Sequence, residues 1–344
     1  MKEFPAGKLP SRILQRLLAM CQVPKGSRVV LGPRFGEDAA VIDLGAKYLV
    51  AKTDPITFTS DRIGWYAVNI NANDVATLGA RPLWFLATLL LPEKAASLPL
   101  VRKIFGETLR ACRELGVTLC GGHTEITHGL DRPIMVGQML GEVDKSKLVR
   151  KESQQPGDLV LLTRGIAIEG TAILAREKRR TLARKLPTKT LRRAERLLFR
   201  PGISVVRDAM LAQRHGEIHA MHDPTEGGLA SGLYELAKAG SVGLRIWKDK
   251  VPVLEETRRF SEILGFDPFA LIASGALLVV ASAKSTPKLL ASYTRHGVRA
   301  AIVGEVAEAG EGIRVVEKGR VRQLHVPARD EIARLLTLPE QREA

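Results

Sequence analysis

The chain has 344 residues, 45% of them hydrophobic and 26% charged, an ordinary globular composition that excludes wholesale disorder. Its formal net charge of +15 favours anionic substrates or partners over cationic ones. Three cysteines, Cys21, Cys112 and Cys120, have neither the number nor the spacing of a disulfide framework or a structural zinc site.

In chain order, Ile13, Leu14, Leu17, Leu18 and Cys21 keep helical spacing and predict a helix over 10–22 with Ser11 as N-cap. Val29–Leu31 predicts a short strand leading to a turn at Gly36. Ala39–Ile42 and Tyr48–Lys52 predict two strands around an Asp43-Leu44-Gly45 turn. Asp61–Leu78 predicts a helix in which Asp74 shares the apolar face of Ala67 and Ile70, with Asn71 one turn earlier. A carboxylate on such a face is costly unless paired or bound to a cation, so Asp74 reads as a ligand. The apolar run Leu83–Leu90 predicts a strand buried on both faces, and the stretch to Leu91 is too short to span a bilayer. Leu98–Leu115 predicts an amphipathic helix, and Val117–Cys120 a strand ending in a Gly121-Gly122-His123 loop. Ile134–Gly141 predicts another strand, and Gln155–Asp158 a turn at the domain boundary.

Beyond that turn, Leu159–Thr163 predicts a strand, and Gly165 and Gly170 bracket the entry to a helix. The basic stretch 176–200 reads as a solvated helical face. A helix over Ile203–Gln213, a glycine-rich turn over His222–Gly228 and a helix over Leu229–Ala239 follow. Leu244–Trp247, Leu277–Ala281 and Ala300–Val306 predict late strands. The order of elements predicts an α/β protein, with helices layered on sheets. No secretory signal is evident at the N-terminus, so a cytoplasmic location is the default expectation.

Four short acidic motifs carry the chemistry: Gly36–Ala40 with Asp38, Lys52-Thr53-Asp54, Asn71–Asp74, and His222–Gly228 with Asp223 and Glu226. Dispersed carboxylates beside close-approach backbone suggest Mg²⁺ and polyphosphate, because hard cations take oxygen ligands. The amides of Gly121 and Gly122 could reach phosphate oxygens, and His123 could ligate a metal or donate to a phosphate. The segment Asp223–Leu229 reads as a loop entering a helix N-terminus, a geometry that favours anions. His215, His219 and His222 lack zincin spacing. No Walker, dinucleotide or hydrolase-elbow motif is present. Nucleic acid is set aside as a partner, since no aromatic-rich or zinc-type binding motif accompanies the charge.

Together, Gly36–Ala40, Thr53-Asp54, Ile63-Gly64-Trp65 with Asn69–Pro82, Gly121–Glu125 and His222–Leu229 resemble the superfamily of aminoimidazole ribonucleotide (AIR) synthetase, or PurM. Its members include HypE, selenophosphate synthetase and thiamine-monophosphate kinase. The resemblance runs from Gly7-Lys8-Leu9-Pro10 to about Glu305. It implies a PurM-like two-domain fold: a lead segment over 1–34, an ATP-binding domain over 35–150 and a C-terminal α+β domain over 156–330. It further implies a homodimer whose N-terminal sheets pair into a barrel, with ATP between the domains and across that interface. By motif match, Asp38, Asp54, Asp74 and Glu226 are the expected Mg²⁺ ligands. Asp38, Asp74 and His123 are the expected catalytic residues. Lys8, Thr53, Asn71, Gly121, Gly122, Arg150, Asp223, Thr225 and Gly227 are expected around the nucleotide.

The chain departs from the pattern in two places. His123 stands where the kinase and HypE branches carry aspartate, which removes one anionic ligand. HypE ends in a cysteine that carries its substrate group, whereas no cysteine follows Cys120 here, so the usual HypE reaction is not expected. The resemblance implies an ATP-dependent enzyme passing the γ-phosphoryl group to an oxygen of a small acceptor. Its alternatives are an ATP-binding maturation or regulatory partner without turnover and, last, a basic nucleic-acid binder.

Overall fold

The computed structural model describes residue 4 and residues 7–57 and 59–337. The C-terminal end, where HypE carries its cysteine, lies outside the described residues. The chain divides into two compact units, one of Val23–Pro33 with Asp38–Leu148, the other of the segment to Gln22, Arg34–Glu37 and the chain from Val149. No described helix is long and apolar enough to cross a membrane.

In chain order the elements are α1 (Ser11–Leu18), β1 (Val29–Leu31), β2 (Ala40–Asp43), β3 (Lys47–Ile56), α2 (Ile63–Thr77), β4 (Arg81–Pro92), α3 (Leu98–Leu115), β5 (Thr118–Thr127) and β6 (Ile134–Asp144). There follow β7 (Leu159–Thr163), α4 (Ile168–Glu177), α5 (Arg179–Ala183), α6 (Thr188–Arg196), α7 (Val206–His215), β8 (Ile218–His222), α8 (Gly228–Gly240) and β9 (Gly243–Trp247). The chain continues through α9 (Glu255–Leu264), β10 (Leu278–Ala281), α10 (Thr286–Arg295), β11 (Ala300–Ala307), β12 (Ile313–Glu317), β13 (Arg320–Gln323) and α11 (Glu331–Thr337).

The smaller unit is a six-stranded sheet in the order β1-β2-β3-β6-β4-β5, antiparallel except where β4 and β5 run parallel. A parallel pair needs a crossover, and α3 supplies it. Ser97 precedes α3 and Gly116, at φ 67°, terminates it in the left-handed region that glycine adopts without penalty. α2 packs on β3, β6 and β4, and all fifteen of its residues are buried. The apolar-face argument for Asp74 therefore needs correcting, because this helix is enclosed on every side. Three further expectations change. Pro10 rather than Ser11 occupies the N-cap position of α1, and no side chain caps it. β4 is not buried on both faces, since Trp84 is 36% exposed. Gly121, Gly122 and His123 form no loop, because β5 runs unbroken through them to Thr127 in register with β4.

The larger unit is a seven-stranded mixed sheet, β13-β12-β9-β11-β7-β10-β8, in which only β12 and β9 are parallel. Its core is aliphatic: Val160, Leu162, Leu278 and Val280 from the sheet meet Leu229, Leu233 and Leu236 of α8. Each such buried side chain contributes roughly 1.5–3 kcal/mol by leaving water. The two units together make a two-domain α/β fold with two mixed sheets.

Candidate functional site

In the smaller unit, strand alternation puts Lys52 and Asp54 on one face of β3 and sends Thr53 to the other, where it is exposed. Asp74 comes from α2, which packs on β3. Lys52 Nζ lies 3.1 Å from Asp74 Oδ2 and 3.8 Å from Asp54 Oδ2. Asp38, just before β2, accepts a hydrogen bond from Thr77 Oγ1 at 3.0 Å. Burial works against the Lys52 ammonium, but Asp74, Asp54 and Asp38 outweigh it and keep the group firmly protonated. Burial pushes Asp74 above the ordinary carboxylate range; Lys52 pulls it down, while Asp38 and Asp54 add to the rise.

Asn71 donates through Nδ2 to Ala67 O at 2.8 Å and Asp54 O at 3.3 Å, while its buried Oδ1 has no hydrogen-bond partner. Lys52 thus has Asp74 and Asp54 within ion-pair reach and Asp38 acting on its charge, while the orphaned Asn71 oxygen lies one turn before Asp74 on α2. Carboxylates outnumber the ammonium in this set, and the groups around the charge are oxygen donors. That is the donor chemistry and charge a hard divalent cation takes. These residues fit Mg²⁺.

His123 is set apart from this cluster within one chain. β5 lies three strands from β3 in the sheet order, about 14 Å at ordinary spacing. Its ionic neighbour is Glu125, at 3.5 Å, and its side chain is 67% exposed. Gly121 and Gly122 are likewise strand residues, so the expected phosphate nest is absent there. Gly122, at φ 147°, is required for a different reason, since a Cβ would stand 2.0 Å from Ala87 O.

In the larger unit, β8 ends at His222, Asp223 is buried after it, and Gly227 at φ 81° opens α8. Thr225 supports the turn through its carbonyl, which accepts from Gly228 N at 3.0 Å and Ala273 N at 3.2 Å. The Gly227 amide is not open to a phosphate, because it donates to Asp330 Oδ2 at 2.5 Å. Asp330 also takes Ile332 N at 2.7 Å, and burial raises its carboxyl to about 6. Glu226 accepts the Lys8 amide at 2.8 Å. Lys8 Nζ in turn lies 3.2 Å from Glu235 Oε1. Glu235 Oε2 is 3.1 Å from His222 Nε2, and His222 Nδ1 is 3.1 Å from Lys151 Nζ, a buried lysine that also donates to Gly36 O at 2.5 Å. A charged ammonium at Nδ1 makes that nitrogen the acceptor, so Nε2 carries the proton and donates to Glu235. Arg150 is tied to Glu152 at 2.7 Å, and Arg34 shares the same carboxylate.

Sequence reading missed Lys52, Lys151, Glu235 and Asp330. Lys52 carried a usable signal, since it alternates with Asp54 on one strand. Asp330 joins Gly227 across 103 residues, and no local pattern reports such a contact.

The family pattern for the AIR synthase related protein N-terminal domain matches residues 36–143, and that for the C-terminal domain matches residues 155–317. The chain belongs to the AIR synthase-related family. Among its relatives, a putative hydrogenase expression/formation protein of Methanocaldococcus jannaschii is 29% identical over 306 residues, covering 87% of this chain and 88% of the relative. The carbamoyl dehydratase HypE of Rhizobium leguminosarum bv. viciae is 30% identical over 284 residues, covering 79% and 77%. Among solved structures, a chain of a HypE–HypF complex superposes with a TM-score of 0.72 at 26% identity, covering 85% of this chain and 93% of that one. A HypE in complex with ATP gives 0.67 at 25% identity, covering 86% and 90%. By these neighbours the fold is PurM-like.

Proposed function

We propose that this family member is an Mg²⁺-dependent, ATP-binding enzyme that passes the γ-phosphoryl group to an oxygen of a small acceptor. The observation that carries the reading is the convergence of three carboxylates, Asp38, Asp54 and Asp74, on the charge of Lys52, with the orphaned oxygen of Asn71 on the same helix as Asp74. The ATP-bound HypE relative adds support. Asp38, Asp54 and Asp74 hold the metal, and Lys52 keeps Asp74 and Asp54 gathered when it is absent. Mg²⁺, when bound, neutralises phosphate charge and aligns the transferring group. An amide-type acceptor whose oxygen becomes a phosphate then has a good leaving group, so dehydration or ring closure follows.

The same reading makes the smaller unit's sheet a homodimer surface. Its support is β5, an edge strand exposed from Cys120 to Ile126 and paired on one side only within the chain. Unpaired edge backbone is a template for another strand.

The test is calorimetric titration with Mg²⁺ and a non-hydrolysable ATP analogue. Wild type is expected to take up the analogue only with Mg²⁺ present, and Asp74→Asn to lose at least about tenfold in affinity, roughly 1.4 kcal/mol, while keeping its circular dichroism. Equal uptake by the variant overturns the ligand assignment.

A further inference from the structure

Residues 176–200 carry eleven lysines and arginines against two glutamates, which accounts for nine of the chain's fifteen net positive charges. The structure arranges them rather than scattering them. On α6, Lys189, Arg192, Arg193 and Arg196 follow the i, i+3, i+4, i+7 spacing of a single helix face, and all four are exposed. The opposite face of α6 is sealed in the core through Leu191 and Ala194. Lys185 before the helix and Arg200 after it are exposed as well, and α5 packs alongside with exposed Arg180 and Arg184.

The acids nearest this face, Glu195 on α6 and Glu256 on α9, are already committed. Glu195 pairs with Arg179, and Glu256 of α9 lies 2.6 Å from Arg193. Among the described residues no carboxylate is within ion-pair distance of Lys189, Arg192 or Arg196. Like charges three or four residues apart each destabilise a helix by roughly 0.2–0.5 kcal/mol. The stripe therefore weakens the helix that bears it, and an anionic partner would reverse that cost.

We propose that the exposed face of α5 and α6 is a docking surface for the phosphate backbone of double-helical nucleic acid. Three features select this occupant. A protein partner needs apolar or aromatic anchors at the centre of its interface, and among the described residues of 176–200 no large hydrophobic side chain is exposed. A membrane needs an apolar face to insert, and α6 has buried its own. Single strands are held by stacking on exposed aromatics, and residues 176–200 contain one aromatic, Phe199, which is partly buried. Phosphate contacts need only cations presented to water along a rigid element. Lys189 and Arg196 stand about 10 Å apart along such an element, one α-helix. The missing aromatic and zinc motifs, which set nucleic acid aside in the sequence, argue against reading of bases and leave backbone binding open. The surface is independent of the carboxylate cluster and of any nucleotide there.

The test is fluorescence anisotropy with labelled DNA and RNA duplexes of about 20 base pairs, titrated across salt concentrations. Wild type is expected to bind with an affinity that falls linearly on a log–log salt plot, and Mg²⁺ with an ATP analogue should not compete. The triple variant Lys189→Glu, Arg192→Glu, Arg196→Glu should bind at least about tenfold more weakly, with a slope shallower by about 0.9 for each phosphate no longer neutralised. The neutral triple Lys189→Gln, Arg192→Gln, Arg196→Gln should also lose affinity while its melting temperature stays level or rises, a combination a purely structural role would not produce. Wild-type binding by the neutral triple, absence of duplex binding at low salt, or capture of anionic vesicles or acidic peptides in preference to duplexes each overturns the proposal.

Discussion

Lys52 decides the charge of the carboxylate cluster. Without it the buried Asp38 and Asp74 and the half-exposed Asp54 would repel one another with no cation among them to offset the repulsion. With it the cluster keeps enough negative charge to want a cation and not so much that the apo unit cannot fold. Glu235 shows the same logic at an organic pair. Burial alone would raise its carboxyl, but Lys8 and His222 outweigh burial and depress it from 4.5 to about 2. The folded state therefore holds this proton less readily than the unfolded chain. Its stabilisation is complete above pH 4.5 and is lost as pH falls toward 2. Lys8 is 49% exposed, so solvent screens part of the effect. Glu235→Gln is expected to cost about 1–2 kcal/mol at pH 7, and the gap between the two melting curves should narrow steadily below pH 4.5. A gap that stays constant down to pH 3 would show that Glu235 acts by shape rather than by charge. Asp74 stood out in the sequence as an acid among apolar residues of a helix, and Asp54 drew notice only through the motif it shares with the family. Lys151 and Glu235 did neither, since a lysine in a turn and a glutamate on a helix look solvated until the fold encloses them.

Among elements, β5 diverges most from its sequence. A double glycine after an apolar strand reads as a turn, yet here both glycines sit in register between β4 and open space. Gly122→Ala places a methyl group against Ala87 O in a backbone conformation that side chains rarely adopt, and we expect a loss above about 2 kcal/mol. Gly121→Ala meets only Leu86 Cδ2 at 3.7 Å and should be near neutral. Thermal melts of the pair decide it: equal midpoints would mean that the strand shifts to absorb either methyl group. Elements with clean periodicity and proper stops were readable, as α3 with its terminal Gly116 and β7 with its buried run show. The β12–β13 hairpin was not. Its turn, Lys318-Gly319, has both residues at positive φ, but Arg320–Gln323 is exposed throughout and offers no apolar alternation to find.

For the whole molecule, the exposed edge of β5 sets the expected state in solution. Ile126 is 60% exposed on that strand, an apolar side chain paired with Leu91 of β4 on one side only. If two copies pair along it, light scattering should return twice the mass of one chain for wild type and a single mass for Ile126→Lys at micromolar concentration. A monomeric wild type would remove the homodimer from the proposed function and leave the carboxylate cluster to be judged by calorimetry alone. The family was recognisable because its motifs are spread over the whole length in a fixed order. The homodimer was an expectation of that resemblance alone, because an edge strand's hydrogen bonds leave no trace in side-chain pattern.

The way the chain is shared out between its two units bears on its heredity. Residues 23–33 and 38–148 build one, yet the four residues Arg34–Glu37 are lent to the other, where Lys151 grips the Gly36 carbonyl. No single crossover in the gene can hand either unit to another protein intact. Cutting after Leu148 would strip the downstream piece of Arg34–Glu37 and of α1. A single exchange therefore carries neither unit across whole, and the two are expected to descend together.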